Sequence, residues 1–335
     1  MIRVGINGFG RIGRNFLKAS LRGGKFEVVA VNDLTDARTL AHLLKFDSVY
    51  RKFNGDIGYK ENYLIVNGRE IKVFSEKDPL KLSWGKIGVD IVLESTGVFR
   101  RREQAEMHLK SGAKKVIISA PPKGEAPVKQ IVMGVNENTY DPGKDNIISN
   151  ASCTTNCFAP VSKVLNSNFI IKEGIMTTVH AYTADQRLLD APHKDLRRAR
   201  AASASIIPTT TGSAKALSEV IPELKGRVTA SAIRVPVIDG SLIDFVVDLE
   251  KNPDVDEVNS VFKEVAKKDM NGIIEYSEES IVSADIIGNP HSAIFDSLLT
   301  RKEKGLIEVF AWYDNEWGYS CRLVDLINFI IKKGI

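Results

Sequence analysis

Met1-Ile2-Arg3-Val4-Gly5-Ile6-Asn7-Gly8-Phe9-Gly10-Arg11-Ile12-Gly13 opens the chain. The apolar run to Ile6 predicts a strand, and the residues from Arg11 to Leu21 predict a helix. Between them lies Gly-x-Gly-x-x-Gly. In that setting Gly8 allows a tight turn, Gly10 lets the backbone approach a pyrophosphate, and Gly13 lets helix and strand pack closely. The pyrophosphate would rest on the helix N-terminus, where free N–H groups and the helix dipole both favour anions. A bare glycine motif is weak evidence, but here its context is right. A second strand pattern, Glu27 to Val31, runs into Asn32-Asp33. Asp33 lies about twenty residues past the last glycine, where an acid hydrogen-bonds a ribose 2′-hydroxyl. The same carboxylate repels a 2′-phosphate, so the expected cofactor is NAD rather than NADP.

Working outward, short strand patterns alternate with helix patterns through the first half of the chain. That alternation predicts an α/β fold with a Rossmann-type, doubly wound parallel sheet. From about Met176 the strand patterns lengthen, with helices at Gly212 to Val220 and Val255 to Lys267. This predicts an α+β domain with a mostly antiparallel sheet. The expected division is residues 1–152 for the nucleotide and 153–318 for substrate, with a C-terminal helix, 319–335, packing back on the first domain.

Asn150-Ala151-Ser152-Cys153-Thr154-Thr155-Asn156-Cys157 sits at the predicted boundary. It follows the strand pattern Ile147-Ile148-Ser149 and precedes an apolar helix pattern, predicted over 156–166. Cys153 is thus expected at a strand-to-helix junction, where unpaired N–H groups favour thiolate over thiol and lower the pKa. Taken alone, a buried inert cysteine is as good a reading. Cys157, one helical turn on, reads as a packed neighbour. No cysteine or histidine spacing suits a metal.

A nucleophilic thiol needs a base. Of five histidines, His180 ends the apolar run Met176-Thr177-Thr178-Val179, so its ring is expected where strand meets loop. The alternative is a histidine satisfied at a strand end. Thr183, Arg187, Arg197, Arg198 and Arg200 follow, then Thr209-Thr210-Thr211-Gly212 at a helix start, and later Arg234. Arginine forks and helix N-termini suit phosphate.

The chain has 335 residues, 43% of them hydrophobic and 26% charged, with a formal net charge of +4. That is room for two cores. The charge is too small to require nucleic acid, and the Lys194 to Arg200 cluster lacks the aromatic interleaving of a nucleic-acid surface. No apolar run reaches the roughly 18 to 20 residues of a membrane span. Three cysteines and no signal-peptide pattern suggest a reducing cytoplasm.

Several stretches together resemble the phosphorylating glyceraldehyde-3-phosphate dehydrogenases, over essentially the whole length. They are Asn7 to Arg14, Ala151 to Cys157, His180-Ala181-Tyr182-Thr183, Asp195 to Ala201, Thr209 to Gly212, and Trp312 to Tyr319. The cysteine motif is the most specific of these. The resemblance implies oxidation of a phosphorylated aldehyde with NAD and inorganic phosphate, through a thiohemiacetal and a thioester on Cys153. It implies that His180 is the base and that Thr183 and Arg234 hold the substrate's phosphate. Ser152, Thr154, Thr211 and Gly212 match the site for inorganic phosphate, with Arg198 between the two. Arg11, Ile12, Asp33, Lys77, Ser119 and Asn315 match cofactor contacts, beside Gly8, Gly10 and Gly13. A homotetramer is implied, the loop Ala181 to Pro208 resembling the segment that reaches a neighbouring subunit's cofactor site.

Two positions depart from the family pattern. Ala191 stands where NAD-specific members often carry Leu, which opens space and allows NADP. Lys77 stands where many members carry Arg. Erythrose-4-phosphate dehydrogenase shares the cysteine and histidine, so aldehyde length stays open, as does a binding role outside metabolism.

Overall fold

β1 (Ile2–Asn7) begins the chain in the computed structural model, which describes residues 1–335. The chain divides into two compact units. The first comprises Met1–Ile131, Glu137–Ala151 and Ser320–Ile335; the second comprises Val132–Asn136 and Ser152–Tyr319.

In the first unit β1 is followed by α1 (Arg11–Gly23), β2 (Phe26–Asn32), α2 (Ala37–Lys45) and the small hairpin β3 (Phe46–Asp47) and β4 (Arg51–Lys52). Next come β5 (Ile57–Lys60), β6 (Tyr63–Val66), β7 (Arg69–Phe74), β8 (Ile91–Glu94), α3 (Arg102–Lys110), β9 (Lys115–Ile118), β10 (Lys129–Gln130) and β11 (Ile147–Ser149). Nine of these strands form one sheet in the order β10-β11-β9-β8-β1-β2-β7-β6-β5. Pairing is parallel from β10 to β7. Val4, Ile6, Val92, Leu93 and Ile117 are fully buried, as expected where helices cover both faces of a parallel sheet. Chain order reverses at β1, which has β2 on one side and β8 on the other. Open α/β sheets bind ligands at such a switch point, beyond the carboxyl ends of the strands.

The sheet is not parallel throughout. β6 pairs antiparallel with both β7 and β5, adding a meander at one edge. The β5 stretch escaped the sequence reading because it is four residues long and buries none of them.

The second unit starts with α4 (Cys153–Phe169) and β12 (Ile171–Ala181), then β13 (Ile207–Thr209), α5 (Ser213–Val220), β14 (Val228–Val235) and β15 (Ser241–Leu249). α6 (Val255–Lys267), β16 (Ile274–Ser277), β17 (Ala293–Glu303), β18 (Leu306–Tyr313) and the start of α7 (Trp317–Lys333) complete it. The sheet order is β13-β14-β12-β15-β18-β17-β16. Four of its pairings are antiparallel, and β12–β14 and β16–β17 are parallel. Along β15, Ile243, Phe245 and Val247 are buried in strict alternation, the period-2 signature of one covered face. α4 packs there through Phe158, edge-on to Phe245 at 4.9 Å, and α6 through Phe262, stacked on Phe295 at 3.8 Å.

α4 is longer than its sequence pattern predicts, beginning at Cys153 rather than Asn156. Thr154, Thr155 and Asn156 are weak helix formers, yet Ser152 caps the helix, accepting from the N–H of Thr155 at 3.0 Å. No helix is long and apolar enough to cross a membrane.

Candidate active site

The nucleotide motif folds as its spacing requires. Gly8 has φ +93, and a Cβ there would lie 2.6 Å from the backbone nitrogen of Thr96. A Cβ on Gly13 would lie 2.3 Å from the Gly8 carbonyl oxygen. A Cβ on Gly10 would meet no atom within 4 Å, so the backbone there is open to close approach, as a pyrophosphate at this turn requires. A cavity of about 380 Å³ opens beside it, lined by Gly8, Gly10, Asp33, Lys77, Thr96 and Phe99 among others. Asp33 is fixed at its wall, accepting from the backbone N–H of Phe9 at 2.8 Å and of Leu34 at 2.7 Å. Turn, open helix start and oriented carboxylate fit a dinucleotide.

Arg11 and Ile12 begin α1. The Arg11 guanidinium is committed elsewhere, pairing with Asp47 at 2.9 Å, so any contribution at the helix start is by its backbone. Ser119 lies just past β9, its N–H donating to Glu94 at 2.9 Å. It is not part of the cavity wall.

Within the second unit, the Cys153 sulfur lies 3.4 Å from Nε2 of His180. Cys153 is the first residue of α4 and His180 is next to last in β12. The other ring nitrogen, Nδ1, lies 2.7 Å from the carbonyl oxygen of Ala181. Nη1 of Arg234 also lies 3.2 Å from Nδ1, but its two protons are taken by the Ala181 carbonyl and the Thr183 hydroxyl. Since a carbonyl only accepts, the tautomer that satisfies these contacts has the proton on Nδ1 and a lone pair on Nε2 facing the sulfur.

Electrostatics here correct the sequence expectation of a lowered thiol pKa. Burial pushes the Cys153 thiol up, outweighing Arg234 and the Thr154 N–H, which favour thiolate. Burial, aided by Arg234, also pushes His180 down to about 3. Burial thus works against charge on both partners.

Arg234 in β14 donates through Nη1 to the Ala181 carbonyl at 3.1 Å and to the Thr183 hydroxyl at 2.9 Å. Arg198 donates through Nε to Thr209 Oγ1 at 3.0 Å and through Nη2 to the Thr210 carbonyl at 3.3 Å. That joins it to the segment leading into Thr211 and Gly212, where Gly212 is the N-cap of α5 and the Thr211 hydroxyl meets Ser213 Oγ at 2.8 Å. Asn315 accepts from Ser241 Oγ at 2.7 Å, and that oxygen accepts from the Ala181 N–H at 3.1 Å. A chain of contacts thus links Asn315 to the residue beside His180.

The sequence reading missed two members of this cluster. Tyr313 at the end of β18 places its phenol 2.9 Å from Thr154 Oγ1 and 2.8 Å from Thr178 Oγ1, with its ring edge-on to His180 at 5.8 Å. The signal was its place at an inward position of an alternating strand. Asp185, which accepts from Thr183 and pairs with Arg198, carried none. The other histidines are occupied elsewhere: His108 with Trp84 and Glu94, His193 with Asp195, His291 with Glu275, and His42 against Phe46.

Comparison with known proteins agrees with this geometry. Residues 2–102 match the model of the glyceraldehyde 3-phosphate dehydrogenase NAD binding domain, and residues 152–315 match that of the C-terminal domain. Glyceraldehyde-3-phosphate dehydrogenase of Geobacillus stearothermophilus is 57% identical over 335 residues, all of this chain and 99% of the relative. The Bacillus subtilis enzyme 1 is 56% identical over the same shares, and the Streptomyces coelicolor enzyme 56% over 98% of each chain. With both halves matched and identity of this order along the full length, the chain belongs to the glyceraldehyde-3-phosphate dehydrogenase family.

Proposed function

We propose that the chain is an NAD-dependent oxidoreductase of glycolysis that converts glyceraldehyde 3-phosphate and inorganic phosphate to 1,3-bisphosphoglycerate. The observation that carries this reading is the Cys153 sulfur facing Nε2 of His180 at 3.4 Å, beside the Arg234–Thr183 pair. Residues 1–152 with 319–335 form the cofactor domain and residues 153–318 the substrate domain.

The sulfur of Cys153 adds to the aldehyde carbon. Its proton passes to Nε2 of His180 and on to the carbonyl oxygen, giving a thiohemiacetal. His180 then removes the hydroxyl proton as the carbon gives up hydride, which leaves a thioester. Bound NAD supplies the hydride acceptor. Inorganic phosphate attacks the thioester carbonyl, the C–S bond breaks, and Cys153 recovers a proton from His180. A covalent intermediate splits one difficult step into two easier ones.

Thr183 and Arg234 hold the substrate phosphate. Ser152, Thr154, Thr211 and Gly212 hold inorganic phosphate, with Arg198 serving both. Gly8, Gly10, Arg11, Ile12, Gly13, Asp33, Lys77, Ser119 and Asn315 hold NAD. For Asp33 and Lys77 the support is their place in the cavity wall; for Ser119 it is family resemblance alone. The protein works as a cytoplasmic homotetramer. The free thiols Cys153 and Cys157 support the compartment. Exposed Leu188, Leu189, Leu196 and Ile206 support a partner on the loop after β12.

Steady-state kinetics test the assignment, comparing NAD with NADP and glyceraldehyde 3-phosphate with erythrose 4-phosphate. The expected kcat/KM is highest for glyceraldehyde 3-phosphate with NAD, and Cys153→Ala abolishes turnover. A kcat/KM for NADP or for erythrose 4-phosphate at or above those values would overturn it.

A further inference from the structure

Asp185 lies in the loop after β12, and its carboxylate takes two donors. One oxygen accepts the hydroxyl proton of Thr183, and the other pairs with Nη1 of Arg198. These are two of the groups assigned above to phosphate. The third, Arg234, donates to the Thr183 oxygen at 2.9 Å, and its Nε is buried with no hydrogen-bond partner. A buried guanidinium N–H without an acceptor is costly and marks a place built for an anion.

Counting protons gives the consequence. A hydroxyl has one proton, and a guanidinium can only donate. The Thr183 oxygen therefore accepts from Arg234 and spends its single proton on Asp185. A phosphate oxygen cannot accept from Thr183 until Asp185 lets go, and one of the two Nη1 protons of Arg198 is likewise spent on Asp185. Burial favours the neutral acid, but Thr183, Arg234 and Arg198 together hold Asp185 below the usual carboxylate range. What leaves is thus a carboxylate. The Asp185 side chain is 44% exposed, so water can receive it.

We infer that Asp185 is a tethered competitor of the substrate's phosphate: it occupies Thr183 and Arg198 between turnovers, and the incoming phosphate displaces it. The inference rests on reading Thr183, Arg198 and Arg234 as phosphate ligands. Displacement weakens binding of every anion at this site and helps a phosphorylated product to leave.

Asp185→Asn and Asp185→Ala test it in the full-length protein. In both variants the KM for glyceraldehyde 3-phosphate should fall about threefold to fivefold, the worth of a partly exposed ion pair. Inhibition by sulfate, competitive with the aldehyde, should strengthen by a similar factor. The KM for unphosphorylated glyceraldehyde should not move. If Asp185 merely props Arg198, the KM for glyceraldehyde 3-phosphate rises and sulfate inhibition weakens; that result, or no change in either, overturns the inference. Thr183→Val separates this from failure of the underlying site. A raised KM for glyceraldehyde 3-phosphate in Thr183→Val keeps the phosphate site whatever Asp185 does. An unchanged one refutes the site and the inference with it.

Discussion

Nε2 of His180 faces the sulfur of Cys153 because the other ring nitrogen is spent on the carbonyl of its own neighbour, Ala181, at 2.7 Å. The pair is far apart in sequence, and the last residues of β12 bring it together. Arg234 stabilises the thiolate and disfavours the imidazolium. It therefore eases the proton off Cys153 while keeping His180 from holding it, which suits a group that passes the proton on.

Alkylation should report this arrangement. Iodoacetamide should modify Cys153 faster than Cys157, which is fully buried with its thiol pushed well up, and faster than Cys321. Because burial raises the Cys153 thiol, its alkylation rate at pH 9 should exceed that at pH 7 by well over about tenfold as the thiolate fraction grows. Arg234→Leu removes the main charge favouring thiolate and should shift the profile to higher pH. A rate independent of pH, or a shift to lower pH in the variant, would contradict the assignment.

Tyr313→Phe should uncouple Thr154 from the sheet. The phenol joins Thr154 to Thr178, and Thr178 keeps a second partner in the Leu242 carbonyl at 3.1 Å. Thr154, 4% exposed, would lose its bond. The expected cost is about 1 to 2 kcal/mol in denaturant melts, with a raised KM for inorganic phosphate and an unchanged KM for NAD. A change in stability without any change in the phosphate KM would separate Thr154 from phosphate.

Asp47 anchors the start of α1 from below. Its buried carboxylate pairs with Arg11 at 2.9 Å and Lys18 at 3.0 Å and accepts from the N–H groups of Val49 and Tyr50. Burial opposes its ionisation, but these partners win and hold it at about 2. A folded-state pKa below the unfolded value near 3.8 contributes stability above about pH 4, and this is lost as pH falls towards 2. The contribution is roughly 2 kcal/mol. Asp47→Asn should be less stable by about 3 kcal/mol at pH 7, since it strands two cations. The gap between variant and wild type should narrow as pH falls through that window. A gap constant with pH would show that the carboxylate charge is not what matters.

Much of the fold was legible because its signals are local. Gly8, Gly13 and Asp33 sit at spacings set by one turn and one strand, and the structure uses Gly8 and Gly13 for the steric reasons those spacings imply. Cys153 at a helix start and His180 near a strand end were equally visible. What escaped depends on partners distant in sequence. His108 reads as one residue of an amphipathic helix, yet it is fully buried, taking the indole N–H of Trp84 at 3.0 Å and lying 3.1 Å from Glu94. Tyr313 reads as core because its strand alternates, and only Thr154 and Thr178, from two other elements, give its hydroxyl work. The thiol pKa was misjudged for a related reason. The helix start is a local feature and was counted, whereas desolvation comes from the whole fold and was not.

Rapid-mixing kinetics in phosphate-free buffer isolate the thioester on Cys153. With NAD and glyceraldehyde 3-phosphate, a burst of one NADH per active Cys153 should precede a slow steady state, because the thioester waits for its acceptor. Adding inorganic phosphate should release the block, and Arg198→Leu should blunt that acceleration. Absence of a burst together with turnover indifferent to phosphate would rule out phosphorolysis and leave a thiol-dependent aldehyde dehydrogenase that hydrolyses its own intermediate.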